Sequence, residues 1–407
     1  MRKGVTIALL GKYFTWIGGM DFLRQIINGF LSRQDTYDLT LYLLLPVHNK
    51  IEQPLDLLRA VKTSLVMSRE LKRPWFATPR PAFHDKMLDF LNHLDGEGLK
   101  IIYYENSPKG LDRCLRTLKA DVALPTSGSL GENLPAPGIG YIYDFQHKYL
   151  SSYFTPQICL QRDIEFATTL KNSKAVIVHT RSVRDDILTY FPYVETKIFS
   201  LPFAPCALPH WFENSAGDVK RNYDLPENYF LISNQFWEHK DHMTAFRAVD
   251  RLVDFPHVSL VCTGTMEEPR RASYIGELNS FIVERGLTNR IRLLGHIPKQ
   301  DQIEIMRGAV ALVQPTTFEG SAGGGCTHDA VALGVPVILS DIPVNREAEG
   351  PAVRYFRCGD YEALTAAMVT LLREPVRPPS RDELVRMGRR NQEKLGDRLL
   401  EAVNHVL

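Results

Sequence analysis

Short aliphatic and β-branched runs recur along the chain, with segments of helical period between them. "GVTIALL", "YDLTLYLLL", "LKIIYY", "KAVIVHT" and "KIFSLPF" in the first half read as strands, and "GYIYD" as another. The pattern pauses over 204–228, "APCALPHWFENSAGDVKRNYDLPEN", a stretch rich in Pro, Asn, Asp and Gly. It restarts with "YFLISNQ", "VSLVCTG", "RIRLLGH", "AVALVQPT", "VPVILSD" and "AVRYFRC". Strands alternating with helices predict parallel sheets wrapped by helices. Two doubly wound, Rossmann-like α/β domains follow, residues 1–203 and 229–380, joined by a linker over 204–228. Residues 381–407 read as a helix that packs back near the domain junction. A chain of 407 residues fits this count, at roughly 150 residues per domain.

Open parallel sheets bind ligands at the carboxyl ends of their strands, so two facing sheets place a site in the cleft between them. Four stretches lie there. Gly18 and Gly19 precede a helix expected from about Met20; the pair is either a loop that lets amides approach an anion or a tight turn. In "FEGSAGGGCTHDAVALGVPV", Glu319 follows a strand, Gly323, Gly324 and Gly325 turn the chain, and Asp329 sits on the early turns of a helix. Ionised carboxylates only accept hydrogen bonds and repel phosphate, so their partners are hydroxyl-rich. A glycine turn for a diphosphate beside acids for sugar hydroxyls suits a nucleotide-sugar. Asp329 alone reads equally as a first-turn residue favoured by the helix dipole. Lys240, in "NQFWEHKDH", stands at a strand end. At about 4 Å and an effective dielectric near 20, its charge is worth about 4 kcal/mol to a departing diphosphate, against about 0.3 to 1 for a helix end. His147, in "DFQHKY", follows a strand of the first domain. It reads as a cleft-facing proton or hydrogen-bond donor, or as a structural hydrogen-bonder.

Composition narrows the classes. With 44% hydrophobic and 23% charged residues and a formal net charge of +1, nothing global points to nucleic acid. The six cysteines form no C-x-x-C pair or zinc spacing, and no H-E-x-x-H, Walker loop or D-x-D triplet occurs, so neither a metal nor another cofactor is expected. The opening "MRKGVTIALLGKYF" lacks a cleavage site, and no run reaches the roughly 18 apolar residues a spanning helix needs; a cytoplasmic protein is expected.

Together these stretches resemble the retaining glycosyltransferases of the GT-B fold, family 4. The family's second-domain signature, approximately E-G-F-G-L-P-x-x-E-A-x-A-x-G-x-P-V, is followed at both ends by "FEGSAGGGCTHDAVALGVPVILSDIPVNRE". The resemblance extends over the G-G loop, "DFQH", "HK" and "SDIPVNRE". It implies that Lys240 binds the diphosphate and that Gly19 and the Gly323 to Gly325 turn give amide donors. Glu319 would hold the donor sugar, Asp329 the ribose, and His147 would face the reacting sugar. Two positions depart. Asp329 replaces a glutamate at a spacing of ten residues from Glu319 where the family has eight, and Gln235 stands where the family often has an arginine, a donor-binding position at which its amide would give hydrogen bonds but no charge. Arg181 and Arg346 are candidates to supply that charge.

A basic segment from Arg59 to Lys86 carries seven basic side chains against two acidic ones, which is either a solvated face or a peripheral contact with an anionic membrane. The expected partners are a nucleotide-sugar and a glycan or lipid-linked acceptor, for a bacterial-type surface polysaccharide made at the inner face of the membrane. Alternatives of the same architecture are sugar epimerases, phosphorylases with pyridoxal phosphate on a lysine, and a non-catalytic sugar-nucleotide-binding subunit, which Gln235 and Asp329 keep open.

Overall fold

The computed structural model describes residues 4–13, 17–47, 98–126, 134–213 and 216–407. Its first sheet holds β1 (Val5–Leu10), β2 (Leu39–Val47), β3 (Leu99–Glu105), β4 (Val122–Thr126), β5 (Gly138–Tyr141), β6 (Ala175–Val178) and β7 (Lys197–Ser200). All pair in parallel in the order β3-β2-β1-β4-β5-β6-β7. The second sheet holds β8 (Tyr229–Ser233), β9 (Ser259–Thr263), β10 (Ile291–Gly295), β11 (Ala311–Gln314), β12 (Val337–Ser340) and β13 (Val353–Phe356). Its order is β10-β9-β8-β11-β12-β13, again parallel. Each order reverses once, between β1 and β4 and between β8 and β11. The loops leaving those strands therefore diverge and open a crevice.

Strands β4, β6, β8, β9, β11 and β12 are buried along their whole length, as expected where helices cover both faces. One strand absent from the sequence reading is β4. Pro125 interrupts its short run, and its register against β5 shifts between Ala123 and Thr126.

The segment 204–228 is more than a connector, because Leu208, Trp211 and Leu225 pack into the core on one face of the second sheet. The helix Arg381–Val406 starts with a capping box in which Ser380 and Glu383 satisfy each other's backbone amides. Its buried Leu395, Leu399, Leu400 and Val403 belong to the core of the first domain, beside Phe22, Ile26 and Phe30 of the helix Ile17–Leu31. Full burial of such side chains contributes about 1.5 to 3 kcal/mol each. The helices cross at Gly29 and Gly396, where a Cβ on Gly396 would stand 2.2 Å from the Gly29 carbonyl oxygen. The chain thus crosses between domains twice.

Candidate functional site

The carboxyl ends of both sheets face a cavity of about 600 Å³. Gly18, Asp21 and Phe22 reach it from the helix after β1, and Tyr143, Asp144 and Gln146 from the loop after β5. His179 comes from the end of β6 and Arg162 from the helix Pro156–Asn172. The second domain supplies Trp237, His239 and Lys240 after β8, Phe318 to Ser321 after β11, and Gly325 and His328 from the helix Gly324–Ala332.

Lys240 and Glu319 meet here. Lys240 Nζ lies 2.5 Å from Glu319 Oε1, with side-chain exposures of 11% and 9%. Backbone ties set this geometry. The His239 carbonyl accepts from Thr316 Oγ1 at 3.0 Å and from the Thr317 amide at 2.8 Å, fastening the loop after β8 to the loop after β11. Asp241, in the left-handed region at φ 48°, then caps the next helix through the Thr244 amide.

Consecutive left-handed conformations at Gly323 (φ 66°) and Gly324 (φ 73°) bring the chain round. A Cβ on Gly323 would lie 2.3 Å from Thr327 Oγ1. The turn is also braced. The Gly323 amide donates to Asn345 Oδ1 at 3.0 Å, the Gly323 carbonyl accepts from Gln314 Nε2 at 2.7 Å, and the Gly324 amide donates to the Ser321 carbonyl at 3.1 Å. Of the three glycines expected to offer amides to a diphosphate, two therefore already donate within the chain. Gly325 lines the cavity in the first helical turn, whose amides have no acceptor within a helix, and nothing lies within 4 Å of its Cβ direction.

The domains touch around this cavity. Gly320 packs against Asp144 so closely that a Cβ would stand 2.9 Å from both Asp144 Cβ and the Tyr143 carbonyl oxygen. Gln146 Nε2 lies 3.2 Å from His239 Nε2, and the Tyr153 hydroxyl donates to Glu238 at 2.9 Å. Farther out, Glu347 of the second domain accepts from the Arg181 and Ser182 amides, both at 2.8 Å. It thereby caps the helix Arg181–Tyr190 of the first domain.

Several expected roles do not match the geometry. His147 does not line the cavity. Its ring is buried against Phe145 and Phe166, with Nε2 2.9 Å from Asp163 Oδ1, so it acts as a structural hydrogen-bonder. Asp329 is likewise outside the cavity lining and is ion-paired with Lys299, whose ammonium lies over Trp211. Gln235 turns away as well; its Oε1 accepts from the Thr265 amide at 3.1 Å and holds the loop after β9. Gly18 faces the cavity and Gly19 is buried, both inside the first turn of a helix that starts at Ile17. Neither Arg181 nor Arg346 reaches in, since they pair with Glu347 and Asp341. The segment Arg59 to Lys86 lies outside the described residues.

Arg162 is a cavity-lining cation that sequence reasoning missed. Its Nη2 donates to Asp144 Oδ1 at 2.7 Å, and its guanidinium carbon stands 5.0, 5.3 and 5.9 Å from the ring centres of Tyr143, Phe154 and Phe166. The histidines around the cavity are neutral. Burial lowers His179 to about 3, with a contribution from His328; burial lowers His239 to about 2, helped by Lys240; burial also lowers His328. Among the described residues no three His, Cys, Asp or Glu side chains converge as a metal site, and no helix is long and apolar enough to cross a membrane.

Residues 227–374 match the family model of the glycosyl transferases group 1. The O-antigen chain mannosyltransferase RfbU of Salmonella typhimurium is 27% identical over 149 residues, which are 37% of this chain and 40% of that protein. Among solved structures, Anabaena HepE in complex with UDP and glucose superposes with a TM-score of 0.59 at 13% identity, covering 96% of this chain and 94% of that one. The lipopolysaccharide outer core galactosyltransferase WaaB, in its apo form, gives 0.54 at 11% identity, covering 99% and 100%. With its two parallel sheets, the chain has the GT-B fold.

Proposed function

We propose that the protein is a glycosyltransferase that moves a sugar, with retention of configuration, from a nucleoside-diphosphate sugar to a glycan or lipid-linked saccharide during surface-polysaccharide synthesis. The observation that carries this reading is the Lys240–Glu319 pair at the cavity between the sheets, beside the open face of Gly325. The glycosyl transferases group 1 match over 227–374 and the similarity to an O-antigen mannosyltransferase support it.

Breaking the glycosidic bond of such a donor leaves negative charge on the diphosphate. Lys240, about nine-tenths buried, stabilises that charge where water screens it little, and the first-turn amide of Gly325 adds a hydrogen bond. Glu319 accepts hydrogen bonds from sugar hydroxyls once Lys240 turns to phosphate. The departing phosphate takes the proton of the acceptor hydroxyl on the same face, and the reading requires no metal.

Incubation with a panel of nucleotide-sugars, with and without EDTA, tests this. Slow donor hydrolysis that persists in chelator is the expected result. Conversion to an epimer would make the protein an isomerase, and binding without turnover a non-catalytic subunit.

A further inference from the structure

We propose that Arg162 is the second cation that grips the donor's diphosphate, acting from the first domain opposite Lys240. This rests on the glycosyltransferase reading above. A nucleoside-diphosphate sugar brings about two negative charges, and among the described residues Arg162 and Lys240 are the only lysine or arginine side chains lining the cavity. The neighbouring histidines are neutral, and helix ends are worth less than a full charge.

The arrangement of Arg162 suits it to the task. Packing on Tyr143, Phe154 and Phe166 holds the guanidinium plane, and its buried Nε has no acceptor, so the fork is only partly used by Asp144. The contact of Gly320 with Asp144 sets the Arg162–Asp144 pair beside the Lys240–Glu319 pair. Two ion pairs, one from each domain, thus meet where the carboxyl ends of the sheets converge. An entering diphosphate exchanges a carboxylate for a phosphate oxygen at each cation, without ordering any new side chain.

The test is calorimetric titration of the full chain with UDP, GDP, dTDP and ADP in the absence of acceptor, with the corresponding nucleoside alongside. For the nucleotide that binds, Arg162→Met is expected to weaken the diphosphate by roughly ten- to a hundredfold, leave the nucleoside within twofold, and be only partly rescued by Arg162→Lys. Asp144→Asn, which frees the guanidinium, is expected to tighten the diphosphate severalfold. Equal loss for nucleoside and diphosphate, or weaker binding in Asp144→Asn, would overturn the proposal in favour of a structural Arg162. Diphosphate affinity in Arg162→Met equal to that of the wild type would overturn the assignment to the donor. Wild-type protein that binds none of the four would sink the glycosyltransferase reading first, and this inference with it.

Discussion

Lys240 and Glu319, 79 residues apart in the chain, close a single ion pair across the topological switch point of the second sheet. In the absence of ligand each buried charge holds the other.

Lys240→Ala is expected to lower turnover by about a hundredfold or more, since loss of one electrostatic donor to a leaving group commonly does so. The variant also leaves Glu319 buried and unpaired, a situation that costs about 3 to 5 kcal/mol. Adding Glu319→Gln should therefore restore thermal stability without restoring turnover. Donor hydrolysis and melting curves on both variants check this, and unchanged turnover in Lys240→Ala removes the lysine from the mechanism.

Gly320 sets how closely the domains approach. A side chain there meets Asp144 and the Tyr143 carbonyl at 2.9 Å, a separation at which something must shift. Gly320→Val is expected to wedge the cleft open, raising the radius of gyration in X-ray scattering and cutting turnover at least tenfold while each sheet keeps its core. A variant with wild-type scattering and turnover would show that the approach is not needed.

His147→Gln is expected to keep turnover within about threefold. It should lower the melting temperature, because loss of a buried hydrogen bond to Asp163 costs about 1 to 3 kcal/mol. Thirtyfold slower turnover at an unchanged melting temperature would return this residue to the chemistry.

Acid should weaken the fold early. Burial lowers His179 and His242 to about 3 and His239 to about 2, while the unfolded chain titrates near 6.5. Below about pH 6.5 the unfolded chain takes protons that the folded state refuses, so stability falls as pH drops from there toward 3, by up to about 1.4 kcal/mol per pH unit for each group. His242 stacks on Phe236 at 4.1 Å with neither ring nitrogen partnered. His242→Phe should flatten the slope and leave stability at pH 8 unchanged or higher. Denaturant unfolding from pH 4 to 8 decides it; an unaltered slope refutes the assignment.

What was legible in the sequence was whatever depends on one stretch of chain. Apolar runs marked twelve of the strands, and strand-end position singled out Lys240, Glu319 and the glycine turn. The contrast is β4, where Pro125 hides a central strand. Side-chain direction was not legible, because it is decided by groups far off in the chain. His147 turns inward because Phe145, Phe166 and Asp163 receive it. Asp329 is claimed by Lys299, and the Gly323 amide by Asn345, 22 residues on. Arg162 sits in mid-helix with no motif around it, and only the fold brings it beside Asp144.

The first domain borrows Leu395, Leu399, Leu400 and Val403 from the far end of the sequence. During translation that side of its sheet, covered only in part by the helix Ile17–Leu31, is therefore completed only after the second domain has been made. The order in which the two lobes leave the ribosome is the reverse of the order in which they can mature, and the late helix seals the lobe that was synthesised first.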